Sequence, residues 1–240
     1  MTSMERLRVD IGRAVYQRPP GVATGGALGR GLAAALTALA LVFVVPTDSP
    51  GARKADAPLS PAGRVLFQDD FDSGAPSPAW AFDDEGEWRV TDGKLRITMP
   101  NGKQRRSFAY AGSDLWRDYC LDLDLCGLRG VDKGVAVRVE EDRQGVGIDL
   151  RGPGYDDLVV YRGWQNWARG VVKNPNGAWH HVRIYLHGNR YRVYLDQKLV
   201  VDYTDVDDSR PRGRIALAAY TGGVGECEIL YDNVVVRALK

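Results

Sequence analysis

Cysteine and histidine are scarce in this chain, three of each among 240 residues. Cys120, Cys126 and Cys227 form neither a Cys-x-x-Cys zinc pair nor the dense framework of a small disulfide-rich domain. Cys120 and Cys126 lie roughly 20 Å apart on an extended strand, so they cannot bridge each other unless it bends. Cys227 is free to pair with either, and three reduced thiols are the other arrangement. His180 and His181 are strand neighbours that point to opposite faces, and His187 lies roughly 20 Å further on, so the three cannot meet at one metal by local spacing. A Gly-x-Ser-x-Gly nucleophile elbow and a phosphate-binding glycine loop are both missing, as is any Asn-x-Ser/Thr acceptor. Charge of one sign is missing too. Lys and Arg total 32 against 31 Asp and Glu, a net of +1, so no basic field points to nucleic acid.

Long apolar runs are absent except at one place. Residues 1–30 carry five arginines against Glu5 and Asp10, a local net charge of +3. Directly after them, Leu32 to Val45 holds no charged residue. Counted from Ala27 to Pro46, the segment reaches the roughly 20 residues that span a bilayer, with Arg30 near one end able to snorkel. This predicts a basic cytoplasmic tail over 1–26, a signal-anchor transmembrane helix over 27–46 and a flexible Pro/Ala/Gly/Ser linker over 47–63. Excess arginine before the helix keeps the N-terminus inside and holds residues 64–240 outside the cell membrane. The competing reading is a cleaved signal peptide and a secreted domain. Against it stands the small-x-small site Ala55-Asp56-Ala57, which is followed by Pro58.

Past Arg64 the apolar period is two. Leu95, Ile97 and Met99 alternate with polar residues, as do Leu121, Leu123 and Leu125, Val135, Val137 and Val139, and Val182, Ile184 and Leu186. Turn signals such as Asp92-Gly93 and Asn174-Pro175-Asn176-Gly177 separate the runs, and no segment shows a convincing amphipathic helix. The fold class is therefore all-β, a two-sheet antiparallel jelly-roll sandwich after the transmembrane helix. Leu121, Leu123 and Leu125 should be core. Asp122 and Asp124, between them, read as a solvated strand face.

Sugar recognition needs aromatic platforms beside polar groups, and one stretch supplies them. Tyr155, Asp157, Tyr161, Trp164 and Trp167 lie close together, interleaved with amides and arginines, and are the candidate ligand-binding residues. A glycan or cell-surface polysaccharide is the corresponding partner. For tryptophans the competing reading is core packing with a bonded indole N–H, and it is preferred at Trp88 and Trp179, which open strands.

Several motifs taken together resemble concanavalin A-like (laminin G, legume-lectin, glucanase) sandwiches. These are Phe67-Gln-Asp-Asp-Phe71, Gly86-Glu-Trp88, Gly177-Ala-Trp179-His-His-Val182, Tyr191-Arg-Val-Tyr-Leu-Asp196 and Tyr231-Asp232-Asn-Val-Val-Val236. The chain is most similar to the bacterial domains named for family 16 glycosidases and 3-keto-disaccharide hydrolases. That resemblance implies the sandwich fold over 64–240 and a structural calcium ion held by Asp70, the carbonyl of Gly93 and Asp232. It also implies a Glu-x-Asp-x-x-Glu strand if the domain is a glycosidase. Glu140-Glu141-Asp142 is the nearest stretch; it ends in Gly145 and sits at a turn, so no catalytic residue is assigned. A non-catalytic carbohydrate-binding module is the preferred reading, with a glycoside hydrolase and a structural or protein-adhesion module as alternatives.

Overall fold

A computed structural model of the protein describes residues 63–163 and 165–239. The expected tail, the expected transmembrane helix and nearly all of the expected linker fall outside these residues, as does Trp164. The strands run in chain order as β1 (Val65–Asp69), β2 (Ala81–Phe82), β3 (Glu87–Thr91), β4 (Lys94–Thr98), β5 (Arg106–Ala111), β6 (Tyr119–Arg129), β7 (Asp132–Val139) and β8 (Val146–Arg151). They continue as β9 (Asp157–Arg162), β10 (Gln165–Val171), β11 (Trp179–His187), β12 (Arg190–Leu195), β13 (Lys198–Thr204), β14 (Arg214–Tyr220) and β15 (Glu228–Ala238). Every pairing is antiparallel. One sheet has the order β13-β12-β11-β6-β15-β4-β3, with β1 on the far half of β15; the other runs β10-β9-β8-β7-β14-β5-β2. We call them the first and second sheets.

The period of two places the core between them. Leu121, Leu123 and Leu125 of β6 are buried and share one apolar cluster with Val135, Val137, Ile148, Leu150, Ile215 and Leu217 of the second sheet. Each such side chain contributes roughly 1.5–3 kcal/mol on burial. Asp92-Gly93 turns β3 into β4 with both residues at positive φ, the backbone that a tight hairpin requires. In β7 the register shifts opposite β14, and Arg138 takes φ 52. That bulge turns the fully buried Arg138 towards the first sheet, where its guanidinium donates to the Tyr191 hydroxyl at 3.2 Å and to the Arg210 carbonyl at 3.0 Å. All three cysteines are buried free thiols.

Two expectations are corrected. Asp122 is not solvated: it is 7% exposed, because Arg183 and His181 on the adjacent strand supply it with donors. Trp179 is not core: 42% of it stays exposed at the start of β11, where its strand position points away from the apolar cluster. Trp88 does follow the packing expectation, half-buried against the core with its indole N–H donating to Ser107 at 2.8 Å.

Candidate functional site

Strand register lays the outer face of the second sheet out in three rows across β5, β14, β7, β8 and β9. The first row reads Arg106, Tyr220, Asp132, Arg151, Asp157. The second reads Phe108, Ala218, Gly134, Asp149, Val159, and the third Tyr110, Ala216, Ala136, Gly147, Tyr161. Small residues thus form the floor of the central strands, and aromatic or charged side chains rise on both sides. Gly147 is required there, since a Cβ would lie 2.3 Å from the Tyr161 ring. The glycine lets that ring lie across the floor.

Asp132 and Asp149 meet at the centre. They sit on neighbouring strands, diagonal in register, and hydrogen-bond each other. They line one small cavity with Gly134, Tyr161 and Tyr220. Burial and then the neighbouring Asp132 charge hold the Asp149 carboxyl well above the usual carboxylate range. Burial also raises Asp132, while Arg106 and Arg151 act to lower both. Two carboxyls so placed cannot both ionise readily and share a proton. Burial and the Asp149 charge likewise push the Tyr161 phenol above its ordinary value.

Around this pair the arginines stack on rings. Arg106 lies 4.3 Å from the Tyr220 ring centre, and Arg151 lies 4.8 Å from that of Tyr155. Arg151 also clasps Asp157 through two hydrogen bonds of 2.8 and 2.6 Å. Beyond Tyr110, under Arg143, a cleft of about 780 Å³ opens between the loop at Gly112–Leu115 and the turn Glu140-Glu141-Asp142. Arg210 neutralises that turn, with Glu140 at 2.6 Å and Asp142 at 2.8 Å.

Of the residues picked out from sequence, Asp157 and Tyr161 stand on this face and Tyr155 at its rim. Trp164 lies outside the described residues. Trp167 occupies a bulge in β10 and turns the other way, stacking on Tyr203 at 5.3 Å and meeting Tyr191 edge-on at 5.8 Å. Asp70 accepts the amide of Asp72, and Asp232 accepts that of Asn233 and lies 3.5 Å from Lys94. Lys94 already neutralises Asp232, the role a calcium ion would play there, and Gly93 belongs to the β3–β4 turn. Among the described residues no three His, Cys, Asp or Glu side chains gather as a metal set. No local spacing marks Asp132, Tyr220 or Arg106, and Asp149 stands among acidic residues that show no recognisable pairing pattern in sequence. Only register brings them together.

Residues 66–237 match the model of the 3-keto-alpha-glucoside-1,2-lyase-like domain family. The chain belongs to that family. No curated protein matches it. Solved structures similar to this member include the carbohydrate-binding module CBM66 from Bacillus subtilis, with 18% identity, a TM-score of 0.56 and coverage of 67% of this chain and 96% of that one. A galectin-like-fold protein of Bacillus subtilis aligns at 10% identity and TM-score 0.58, over 73% and 96% of the two chains. The exoplasmic/lumenal domain of VIP36, solved with Ca²⁺ and Man3GlcNAc, aligns at 14% identity and TM-score 0.56, over 73% and 88%. At these identities the likeness shows a common lectin-like β fold.

Proposed function

We propose that this domain binds carbohydrate on the outer face of its second sheet, without catalysis. The observation that carries the reading is the row pattern itself, in which Tyr161, Tyr220 and Tyr110 stand around a glycine–alanine floor beside Asp132, Asp149, Arg106 and Arg151. Aromatic faces suit the apolar side of a pyranose ring, and a mixed set of carboxyls and guanidinium groups suits its hydroxyls. The fold shared with CBM66 and VIP36, a carbohydrate-binding module and a domain solved with a mannose-containing glycan, supports it. The basic tail and apolar segment support a domain held outside the cell membrane. On a glycan array the full chain should retain at least one glycan, and Tyr161→Ala should weaken that binding about tenfold, the equivalent of about 1.4 kcal/mol. No retained glycan would sink this reading.

The carboxyl pair and the family's name favour a second reading, acid–base chemistry on a glycoside. A pair joined by a hydrogen bond is closer than the roughly 5–5.5 Å between the two carboxyls of a retaining glycosidase, which is why binding is preferred. Sugar release that is present in the wild type and lost in Asp149→Asn would reverse that preference.

A further inference from the structure

The first sheet carries its own hollow, remote in register from the face just described. About 290 Å³ in volume, it is lined by Lys94, Asp124, Trp179, His180, His181 and Asp232. Four strands build it: β4 supplies Lys94, β6 Asp124, β11 the tryptophan and both histidines, and β15 Asp232. A bulge shapes it, for the register of β15 on β6 shifts between Asp232 and Val235 and Asn233 takes φ 52. Bulges serve to re-aim side chains. Here the bulge lets the Asn233 amide reach Asp124 at 2.8 Å.

The polar groups are held rather than floppy. His181 Nδ1 meets Asp124 at 2.8 Å and its Nε2 meets Asp122 at 3.2 Å. His180 Nδ1 meets Asp196 at 2.8 Å, while its Nε2 is buried and has no partner among the described residues. Lys94 stands 5.8 Å from the centre of the Trp179 ring and 3.5 Å from Asp232. An exposed indole therefore lies beside two carboxylates, an ammonium and an imidazole that are already oriented.

That combination narrows the ligand. A fatty or aromatic molecule would strip water from these charged groups and offer them nothing in return. An anion would face Asp124 and Asp232. A neutral sugar ring fits, with its C–H face on Trp179, its hydroxyls donating to the carboxylates and one of its oxygens accepting from Lys94. From this geometry we infer that the Trp179 hollow is a second carbohydrate site, selective for neutral pyranosides and independent of the second-sheet face. The domain then carries two sugar sites on opposite sheets, and a polysaccharide or a pair of chains engaged at both would be held more tightly than at either alone.

The test is nitrogen-edited NMR of the full chain titrated with methyl α-mannoside, methyl β-glucoside and methyl β-galactoside. At least one probe should shift the Trp179 indole N–H saturably, that resonance being identified by its loss in Trp179→Phe. The indoles of Trp80 and Trp88, bonded to Asp69 and Ser107, should stay still. Asp232→Asn should weaken the response about tenfold. Trp179→Ala, read at the amides of Lys94 and Asn233, should abolish it, and Tyr161→Ala should leave it unchanged. A Trp179 indole that no probe moves, or a response abolished by Tyr161→Ala, overturns the inference. Failure of the second-sheet reading would show separately, as unshifted amides around Asp132 and Tyr161.

Discussion

The two outer faces treat buried aspartates in opposite ways. On the first sheet, register sets His181 across from Asp124 and Arg183 across from Asp122. Asp122 therefore keeps a low pKa although burial works against it, because His181 and Arg183 hydrogen-bond its charged form. On the second sheet, Asp132 and Asp149 meet each other before they meet a cation, and burial adds to their repulsion to keep a proton on the pair. Asp122 and Asp149 each sit on a strand between two apolar neighbours. Their chemistry differs because of what the adjoining strand brings alongside.

Breaking the first arrangement should have the largest effect. Asp122→Ala leaves Arg183 and His181 facing an empty site, and a loss of about 2–3 kcal/mol should appear as a lower denaturant midpoint. Acid should act in the same direction. The folded Asp122 carboxyl is held below its ordinary value, so its contribution is present above roughly pH 4 and is lost as pH falls through the folded value. His181, raised chiefly by its hydrogen bond to Asp122, has the opposite sign: its contribution is complete below roughly pH 6.5 and is lost as pH rises through the folded value.

Asp149→Asn should have a smaller effect and sharpen the contrast. The folded Asp149 carboxyl holds its proton to a higher pH than the unfolded chain does, so stability falls as pH rises from roughly 4. An amide keeps a donor towards Asp132 and removes that fall. The variant should match the wild type in acid and exceed it by about 1 kcal/mol at neutral pH in matched denaturation curves. A neutral-pH loss as large as that of Asp122→Ala would show that the pair is not protonated. Smallest of all, Glu87→Ala removes the exposed Arg89–Glu87 pair and should shift stability by less than about 0.5 kcal/mol. A larger shift would mean that exposure does not separate these pairs.

The fold was largely legible in the sequence. Alternation at Leu121, Leu123 and Leu125 or at Val182, Ile184 and Leu186 marks inward positions wherever the strand is placed, since side-chain direction is local. The site was legible only in part. Tyr161 and Asp157 stand on the outer face of the second sheet, while Trp167, from the same stretch, turns into the core because a bulge reverses its side. A strand start suggests core for Trp179, yet its place on β11 turns it outward. The Tyr155–Trp167 stretch is legible because its aromatics are close in sequence. Asp132 and Asp149 belong to different strands and lack that signal.

The sequence by itself determined that residues past Arg64 form strands, which side chains of most strands are buried, and that the N-terminal segment is basic and then apolar. These are properties of neighbouring residues and of a period of two. Tertiary structure alone decided that Asp149 lies against Asp132 and Asp122 against Arg183, and that Lys94, Trp179 and Asp232 share one hollow. Register between strands, set by turns and bulges and by the need to bury one face, chose the partner of each charge, and the partner chose its protonation.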